Sequence, residues 1–343
     1  MQQCVMRQQG FDRGSCLVSN SQGSKLACQA TLKRENGEYS RLITSMHLSR
    51  PEDYFSIYQS GCNHTCLKCH SHTFSQVTKG DWISTSQLAE ILAGYAEDVT
   101  VYEPKERSTM YHAGDLCRHC GLCIQGLQHP WCPQMLEIGQ VVLSPQGWGP
   151  ARNIAAFTGG DIVCQAEYYA EATKQIKDAC DVWVLIETNG YGLTDENLEI
   201  LKAGGVDSFW LDIKAYGENV YRKLCGTTNS HILTSVQRAV DAGFVLEVLT
   251  LFIPTWVETD QHHKIAELIA ETDPSLPTTL LAFFPYNMLK EVRSPTLHEM
   301  VQSFLVMKEA GLKNLRLGNV GVFARTERER DFLVNLLGER AIG

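Results

Sequence analysis

Three cysteines stand within eight residues in the stretch SGCNHTCLKCHSH, residues 60–72. Their spacing is C-x-x-x-C-x-x-C, and no fourth cysteine follows closely (Cys62, Cys66 and Cys69). A structural zinc site uses four ligands, usually as two close pairs, and disulfides need cysteines in pairs and an oxidising compartment. Three thiols therefore predict a metal cluster with one open coordination position, and an open position indicates chemistry.

A second group of cysteines lies in LCRHCGLCIQGLQHPWCP, which has the spacing C-x-x-C-x-x-C and then a remote cysteine followed by proline. This pattern is close to the cysteine run of bacterial ferredoxins. Because there is one full set, we expect one auxiliary cluster, held by Cys117, Cys120, Cys123 and Cys132. Four thiolates also suit zinc, so a zinc site stays open as the alternative.

Three more cysteines, Cys4, Cys16 and Cys28, are spread along the N-terminal part of the chain. They could bind a further cluster if another part of the chain supplied a fourth ligand. Their wide spacing is not diagnostic, and buried structural thiols are the favoured interpretation. Cys164 is a lone cysteine, for which packing is the default expectation.

Composition narrows the class of protein. The chain has 343 residues, 13 cysteines and a net charge of −9, with no long basic run, which disfavours binding of nucleic acid through a basic face. The N-terminus lacks an apolar signal-peptide core, and no apolar run is long enough to predict a membrane span. Clustered cysteines without an export signal indicate metal ligation. We therefore expect a cytoplasmic protein from an anaerobic cell, or from one that protects its clusters from oxygen.

The elements that position these cysteines alternate regularly. Strand patterns such as YFSIYQS, VWVLIETNG and NLRLGN alternate with helical patterns such as STSQLAEILAGYAED and SHILTSVQRAVDAG. Repeated strand–helix units predict a parallel sheet, with the active site at the carboxyl ends of its strands. The predicted organisation is an N-terminal preface, a barrel in two pieces, an inserted cysteine-rich subdomain and a C-terminal helix (residues 1–51; 52–98 and 150–320; 99–149; 321–343).

The motifs GCNHTCLKCHSH, TGGD, ETNGYG and WLDIKAYGENVYRKLCGTTN together resemble the radical SAM superfamily. The resemblance implies a [4Fe–4S] cluster on Cys62, Cys66 and Cys69, whose fourth iron binds S-adenosylmethionine (SAM). It implies α/β architecture, a partial (β/α)6 TIM-type barrel of parallel strands. The SAM-binding residues that it implies are Gly159, Gly160, Asp161, Thr188, Asn189, Asp212 and Lys214. Lys68 and Asp161 depart from the family, which usually has an aromatic residue and Glu there.

Within the superfamily, DIKAYGENVYRKLCG resembles the pyruvate formate-lyase activating enzymes, and FFPYNMLKEVRSPTL resembles the AmmeMemoRadiSam type. The activating enzymes carry a ferredoxin-like insertion between the cysteine motif and the Gly-Gly turn, usually with two sets of cysteines. One set is present here. The implied chemistry is reductive cleavage of SAM to a 5′-deoxyadenosyl radical, which abstracts hydrogen from a substrate. No further catalytic residue is assigned.

Three functions remain open at this point. The first is action on a protein or peptide, including activation of a glycyl radical enzyme, with a low-potential electron donor such as ferredoxin or flavodoxin. The second is a radical SAM reaction on a small molecule, or methyl transfer. The third is an iron–sulfur electron-transfer protein without catalysis.

Overall fold

The structure is a computed structural model that describes residues 4–20, 23–129 and 131–343. Its described strands are β1 (Leu17–Asn20), β2 (Gly23–Leu26), β3 (Leu32–Glu35), β4 (Glu38–Leu48), β5 (Phe55–Gln59), β6 (Asp81–Ser84), β7 (Val142–Ser144), β8 (Gly147–Gly149), β9 (Ile154–Gly159), β10 (Trp183–Thr188), β11 (Ser208–Asp212), β12 (Val245–Phe252), β13 (Thr278–Ala282) and β14 (Leu315–Gly318). The described α-helices are α1 (Val5–Gln8), α2 (Ala27–Thr31), α3 (His72–Ser75), α4 (Thr85–Glu97), α5 (Ala166–Ala179), α6 (Asp195–Ala203), α7 (Glu218–Cys225), α8 (Ser235–Asp241), α9 (Thr259–Thr272), α10 (Leu297–Glu309) and α11 (Glu327–Leu337).

A ten-stranded sheet organises the chain. Its order is β14-β13-β12-β11-β10-β9-β5-β4-β3, and β6 also pairs with β4. The seven strands from β14 to β5 are mutually parallel, whereas β3, β4 and β6 are antiparallel. The predicted α/β class is confirmed. The parallel part has seven strands rather than six, because the short predicted strand near the C-terminus joins it as β14.

The parallel strands are covered on both faces, so they are apolar almost throughout. All but the last residue of β9 is buried, and all but the first residue of β12 is buried. The predicted helix over STSQLAEILAGYAED is α4, where Ser84 and Gln87 form a capping box. None of the described helices is long and apolar enough to span a membrane.

Two local features differ from the sequence patterns. The helix predicted over SHILTSVQRAVDAG is shorter and comprises only α8, because a loop precedes it. Asn229 holds that loop by donating side-chain hydrogen bonds to the carbonyls of Ala215 and Tyr216. Helix α7 lies in the motif segment, where no helix was predicted. These side-chain bonds join positions far apart in the chain, which a local pattern does not reveal.

The first part of the cysteine-rich segment, residues 103–108, contacts the amino ends of the parallel strands. Trp183 begins β10, and its indole N–H donates to the carbonyl of Glu103 at 2.7 Å. Ser208 begins β11, and its hydroxyl donates to the carbonyl of Ser108 at 2.7 Å. The segment connects α4 to β9, and a helix-to-strand connection in a parallel sheet returns the chain to this end.

Candidate active site

A cavity of about 250 Å³ opens at the carboxyl ends of the parallel strands. Its walls come from the loop after β5 and from the ends of β9, β10, β11 and β12. The sequence-predicted residues that line it are Cys62, Cys66, Cys69, Gly159, Asp161, Thr188, Asn189, Asp212 and Lys214. The predicted cluster ligands and SAM-binding residues, with the exception of Gly160, therefore meet in one cavity.

The loop that carries the three cysteines is held from two sides. The backbone N–H of Asn63 donates to the carbonyl of Asp161 at 2.8 Å. The N–H of Leu67 donates to the carbonyl of Leu224, at the end of α7, also at 2.8 Å. His64 is buried in the same loop, and its Nε2 lies 2.9 Å from the hydroxyl of Tyr221. The loop is thus attached to the Gly-Gly-Asp turn and to α7 before any ligand binds.

The two glycines of the TGGD turn are required by close packing within the protein. Gly159 has φ of +85°, and a Cβ added to it would meet the ring of Phe74 at 2.7 Å. A Cβ added to Gly160 would lie closer than 3.0 Å to the carbonyl oxygen of Gly61. Gly160 therefore lies behind the cavity wall, where its missing side chain lets the turn approach the cysteine loop.

Asp161 joins two strand ends through its carboxylate. Oδ1 accepts from the N–H of Val163, and Oδ2 accepts from the hydroxyl of Thr188 and the N–H of Asn189, each at 2.8 Å. A carboxylate offers about four acceptor positions, so these bonds leave one for a ligand amine. Burial raises the pKa of Asp161. The residue therefore organises the site as well as lining it.

Arg41 is a functional residue that the sequence analysis did not identify. Its side chain is fully buried, and its Nη2 donates to the carbonyls of Gly61 and Gly160, both at 3.3 Å. The guanidinium also donates to Gln59 Oε1 at 3.3 Å and to the hydroxyl of Thr31. Arg41 lies in β4, outside every motif quoted above, and only the pairing of β4 with β5 brings it beneath the site.

Two lysines share one carboxylate in the cavity. Lys214 Nζ forms an ion pair with Asp212 Oδ2, and Lys68 Nζ lies 3.8 Å from the same oxygen. Burial lowers the pKa of Lys68, and the neighbouring Lys214 lowers it further. Burial also opposes the charge of Lys214, but Asp212 raises its pKa above the usual value. The predicted pair therefore lines the cavity together with Lys68, the position that departs from the family pattern.

The thiols themselves suit an iron–sulfur cluster. Burial raises the pKa of Cys62, and a hydrogen bond from the Cys225 thiol lowers that of Cys66. Cys69 Sγ lies 3.3 Å from the hydroxyl of Ser75. The three thiols line one cavity, where each could bind a separate iron of an iron–sulfur cluster.

The four cysteines of the insertion are also neighbours. Burial raises the pKa of Cys132, and the nearby thiols of Cys123 and Cys120 raise it further. Burial likewise raises the pKa of Cys117 to about 11, with Cys132 and Cys120 among its neighbours. His119 connects this group to the start of β5, since its Nε2 lies 2.8 Å from Asp53 Oδ1. Cys117 also lines a second cavity with Gly318, at the end of β14, and with Val320, which follows it. The group therefore lies outside the cavity of the cysteine loop, between the start of β5 and the end of β14.

A comparison with known protein families matches part of the chain. The family described as the Radical SAM superfamily matches residues 117–269. This range contains the Gly-Gly-Asp turn, Thr188, Asn189, Asp212 and Lys214, and it begins after the cysteine motif at residues 62–69. The resemblance to the radical SAM superfamily is confirmed.

One curated protein is similar to part of the chain. It is described as "Putative glycyl-radical enzyme activating enzyme" and comes from Methanocaldococcus jannaschii. The two proteins are 29% identical over 161 residues, which are 46% of this chain and 58% of the relative. The chain thus spans little more than half the length of this relative.

The chain is also similar to parts of two solved structures. A domain of the pyruvate-formate lyase-activating enzyme from Bacteroides vulgatus has a TM-score of 0.41 and 18% identity, covering 48% of this chain and 98% of that domain. SuiB from Streptococcus suis has a TM-score of 0.47 and 10% identity, covering 80% of this chain and 50% of that protein.

Proposed function

We propose that this protein is a radical SAM enzyme that uses a [4Fe–4S] cluster on Cys62, Cys66 and Cys69. The observation that supports this most strongly is the convergence of three thiols, the Gly-Gly-Asp turn, Thr188 and the Asp212–Lys214 pair on one cavity. The strand ends bring these groups from four separate parts of the chain. A zinc site or an incidental group of thiols would not explain why the Gly-Gly-Asp turn, Thr188 and the Asp212–Lys214 pair line the same cavity.

Different residues of the cavity would bind different groups of SAM. When bound, the cluster supplies an electron to the sulfonium of SAM, which cleaves to methionine and a 5′-deoxyadenosyl radical. The one acceptor position left on Asp161 suits the methionine amine, and the lysines at positions 68 and 214 suit a carboxylate. The buried strand residues beneath the cavity exclude water from it.

The position of the two cysteine groups supports the first as the site of SAM cleavage. Cys62, Cys66 and Cys69 line the cavity that also contains the Gly-Gly-Asp turn, whereas Cys117, Cys120, Cys123 and Cys132 do not line it. A cluster on the insertion would therefore not share a cavity with the proposed SAM-binding residues. We propose an auxiliary cluster for these four thiols.

We further propose that the substrate is a glycyl radical enzyme or another protein or peptide. The description of the Methanocaldococcus jannaschii relative and the activating-enzyme motif DIKAYGENVYRKLCG support this class of substrate. A low-potential donor such as ferredoxin or flavodoxin would supply the electron. The division of the chain at residues 51, 98, 149 and 320 and a cytoplasmic, oxygen-free location are parts of the same proposal.

Anaerobic incubation of reconstituted, reduced protein with SAM tests the chemistry. Mass spectrometry should detect 5′-deoxyadenosine and methionine. The product should disappear in the Cys62→Ala/Cys66→Ala/Cys69→Ala variant and persist in a variant with four insertion cysteines changed to alanine. S-adenosylhomocysteine as the main product would favour methyl transfer. Absence of cleavage in protein that holds its full iron, with a peptide substrate present, would favour electron transfer alone.

A glycine-containing peptide tests the substrate. With the glycine deuterated at Cα, 5′-deoxyadenosine should acquire deuterium. If 5′-deoxyadenosine acquires no label from any peptide or protein tested but acquires it from a small molecule, the substrate is a small molecule and not a protein.

A further inference from the structure

The N-terminal segment, described at residues 4–20 and 23–31, packs beside the candidate active site. The hydroxyl of Ser15 accepts from the N–H of Thr65, in the cysteine loop, at 3.0 Å and donates to the carbonyl of Cys225 at 2.9 Å. The hydroxyl of Tyr191, which follows β10, donates to the carbonyl of Asp12 at 2.7 Å. The segment therefore lies at the carboxyl ends of the strands, next to the cysteine loop.

Backbone pairing brings two of its cysteines together. Strands β1 and β2 are antiparallel, with Leu17 opposite Leu26, so Cys16 and Ala27 flank the end of the ladder. The N–H of Ala27 donates to the carbonyl of Cys16 at 2.7 Å. Cys28 follows Ala27, so the pairing of β1 with β2 brings Cys16 and Cys28 close together although they are twelve positions apart in the sequence.

A chain of contacts joins the other end of the segment to Cys164. Cys4 precedes α1, and Gln9, at the end of that helix, donates to Asn197 Oδ1 at 2.9 Å. Asn197 donates in turn to the carbonyl of Gly192 at 2.7 Å. Gly192 packs against the backbone of Cys164 so closely that an added Cβ would be nearer than 3.0 Å to its nitrogen.

Packing also brings Cys16 towards the segment that carries Cys164. The thiol of Cys16 donates to the carbonyl of Gly14 at 3.3 Å, and a Cβ added to Gly14 would lie closer than 3.0 Å to the carbonyl oxygen of Asn63, whose N–H donates to the carbonyl of Asp161. In agreement with this packing, burial raises the pKa of the Cys164 thiol, and Cys28, Asp161, Cys16 and Cys4 raise it further. All four cysteines are free of disulfides. Cys164 is buried, whereas the three N-terminal cysteines are only partly buried, so the group can be reached from solvent.

We propose that Cys4, Cys16, Cys28 and Cys164 form a second auxiliary site, which binds a [4Fe–4S] cluster. Cys164 is the fourth ligand that the sequence left unidentified. It follows Asp161 by three residues, so the proposed site lies at the same end of the sheet as the cysteine loop. The proposal goes beyond radical SAM cleavage, since it concerns a separate cofactor and holds whatever substrate the enzyme uses.

Four thiolates can hold either a [4Fe–4S] cluster or a zinc ion. Only a cluster brings iron and acid-labile sulfide, so these two components distinguish the proposed cluster from zinc.

Iron and acid-labile sulfide in the full, reconstituted chain test the site. The variant Cys28→Ala/Cys164→Ala should hold about four fewer irons per chain than the parent protein. Cys180→Ala is the matched control, because Cys180 is a partly buried cysteine at the end of α5 whose thiol donates to the carbonyl of Ile176 and which belongs to none of the proposed cysteine groups. The control should keep all its iron. Cys4→Ala, which changes a residue outside the regular elements, should also lower the iron content if the double variant folds poorly.

Electron paramagnetic resonance of the reduced protein provides a second readout. SAM should alter the signal of the cluster on the cysteine loop in the double variant as it does in the parent, which shows that the candidate active site is intact. Equal iron and sulfide in the double variant, Cys4→Ala and the Cys180→Ala control would overturn the proposal. So would one zinc per chain that is present in the parent and lost from the double variant. A parent protein that forms no 5′-deoxyadenosine would contradict the proposed function, whereas the iron content of the variants tests the second auxiliary site alone.

Discussion

Replacement of Arg41 tests how the candidate active site is assembled. Arg41→Met keeps an unbranched, apolar side chain of similar length but removes every hydrogen-bond donor. The carbonyls of Gly61 and Gly160 would then be buried without the guanidinium that now binds both. A buried acceptor left unpaired costs about 1–3 kcal/mol, and the loss of Arg41 would leave two such carbonyls. We expect the free energy of unfolding to fall by roughly 3–5 kcal/mol.

The functional effect should exceed a general loss of stability. Because Arg41 joins the cysteine loop to the Gly-Gly-Asp turn, its loss should separate the cluster ligands from the SAM-binding residues. We expect Arg41→Met to bind SAM more weakly and to produce less 5′-deoxyadenosine at a temperature where the protein is folded. Arg41→Lys should recover part of the stability, since a lysine keeps the charge but cannot reach both carbonyls at once.

The assay is anaerobic urea denaturation together with SAM cleavage on the same reconstituted samples. Arg34→Met is the matched control, because Arg34 lies on the neighbouring strand β3 with an exposed side chain, and it should change stability by less than about 0.5 kcal/mol. The reasoning is refuted if Arg41→Met unfolds at the same urea concentration as Arg34→Met, or if it is less stable and still cleaves SAM at the parent rate.

Three other predictions concern single features of the structure. Gly160→Ala should abolish SAM cleavage, because its Cβ would collide with the Gly61 carbonyl. Gly94→Ala is the control and should not affect cleavage, because the space around Gly94 is open. Equal yields of 5′-deoxyadenosine from the two variants would contradict this prediction. Burial raises the pKa of Glu187 to about 8, so the folded state retains a proton that the unfolded state releases near pH 4.3. Stability should therefore fall as the pH rises from about 4 to 8, by up to roughly 5 kcal/mol, and Glu187→Gln should flatten that slope in urea titrations at pH 5.5 and pH 8.5. Changing Cys117, Cys120, Cys123 and Cys132 to serine should lower the iron content but preserve SAM cleavage with a chemical reductant. A full loss of cleavage in folded protein would contradict the assignment of SAM to the cavity of the cysteine loop.

The strand–helix alternation and the motif positions could be read from the sequence because each depends on local information. A buried parallel strand needs a short apolar run, a helix needs an apolar stripe with a cap such as Ser84, and a cluster loop needs closely spaced cysteines. The carboxyl ends of parallel strands share one edge of the sheet. Order along the chain therefore predicted that the motifs at residues 62–69, 159–161 and 212–214 would meet.

Contacts between distant segments were decided only by the tertiary structure. Nothing near Arg41 in the sequence marks it as the residue beneath the cysteine loop, because its partners lie 20 and 119 positions away. The end of the sheet that the insertion occupies depends on its connection from α4 to β9. Cys164 meets the N-terminal cysteines only because α1 and the hairpin fold back over the strand ends. Local patterns encode which element each residue joins, and side-chain packing across the chain determines which elements meet.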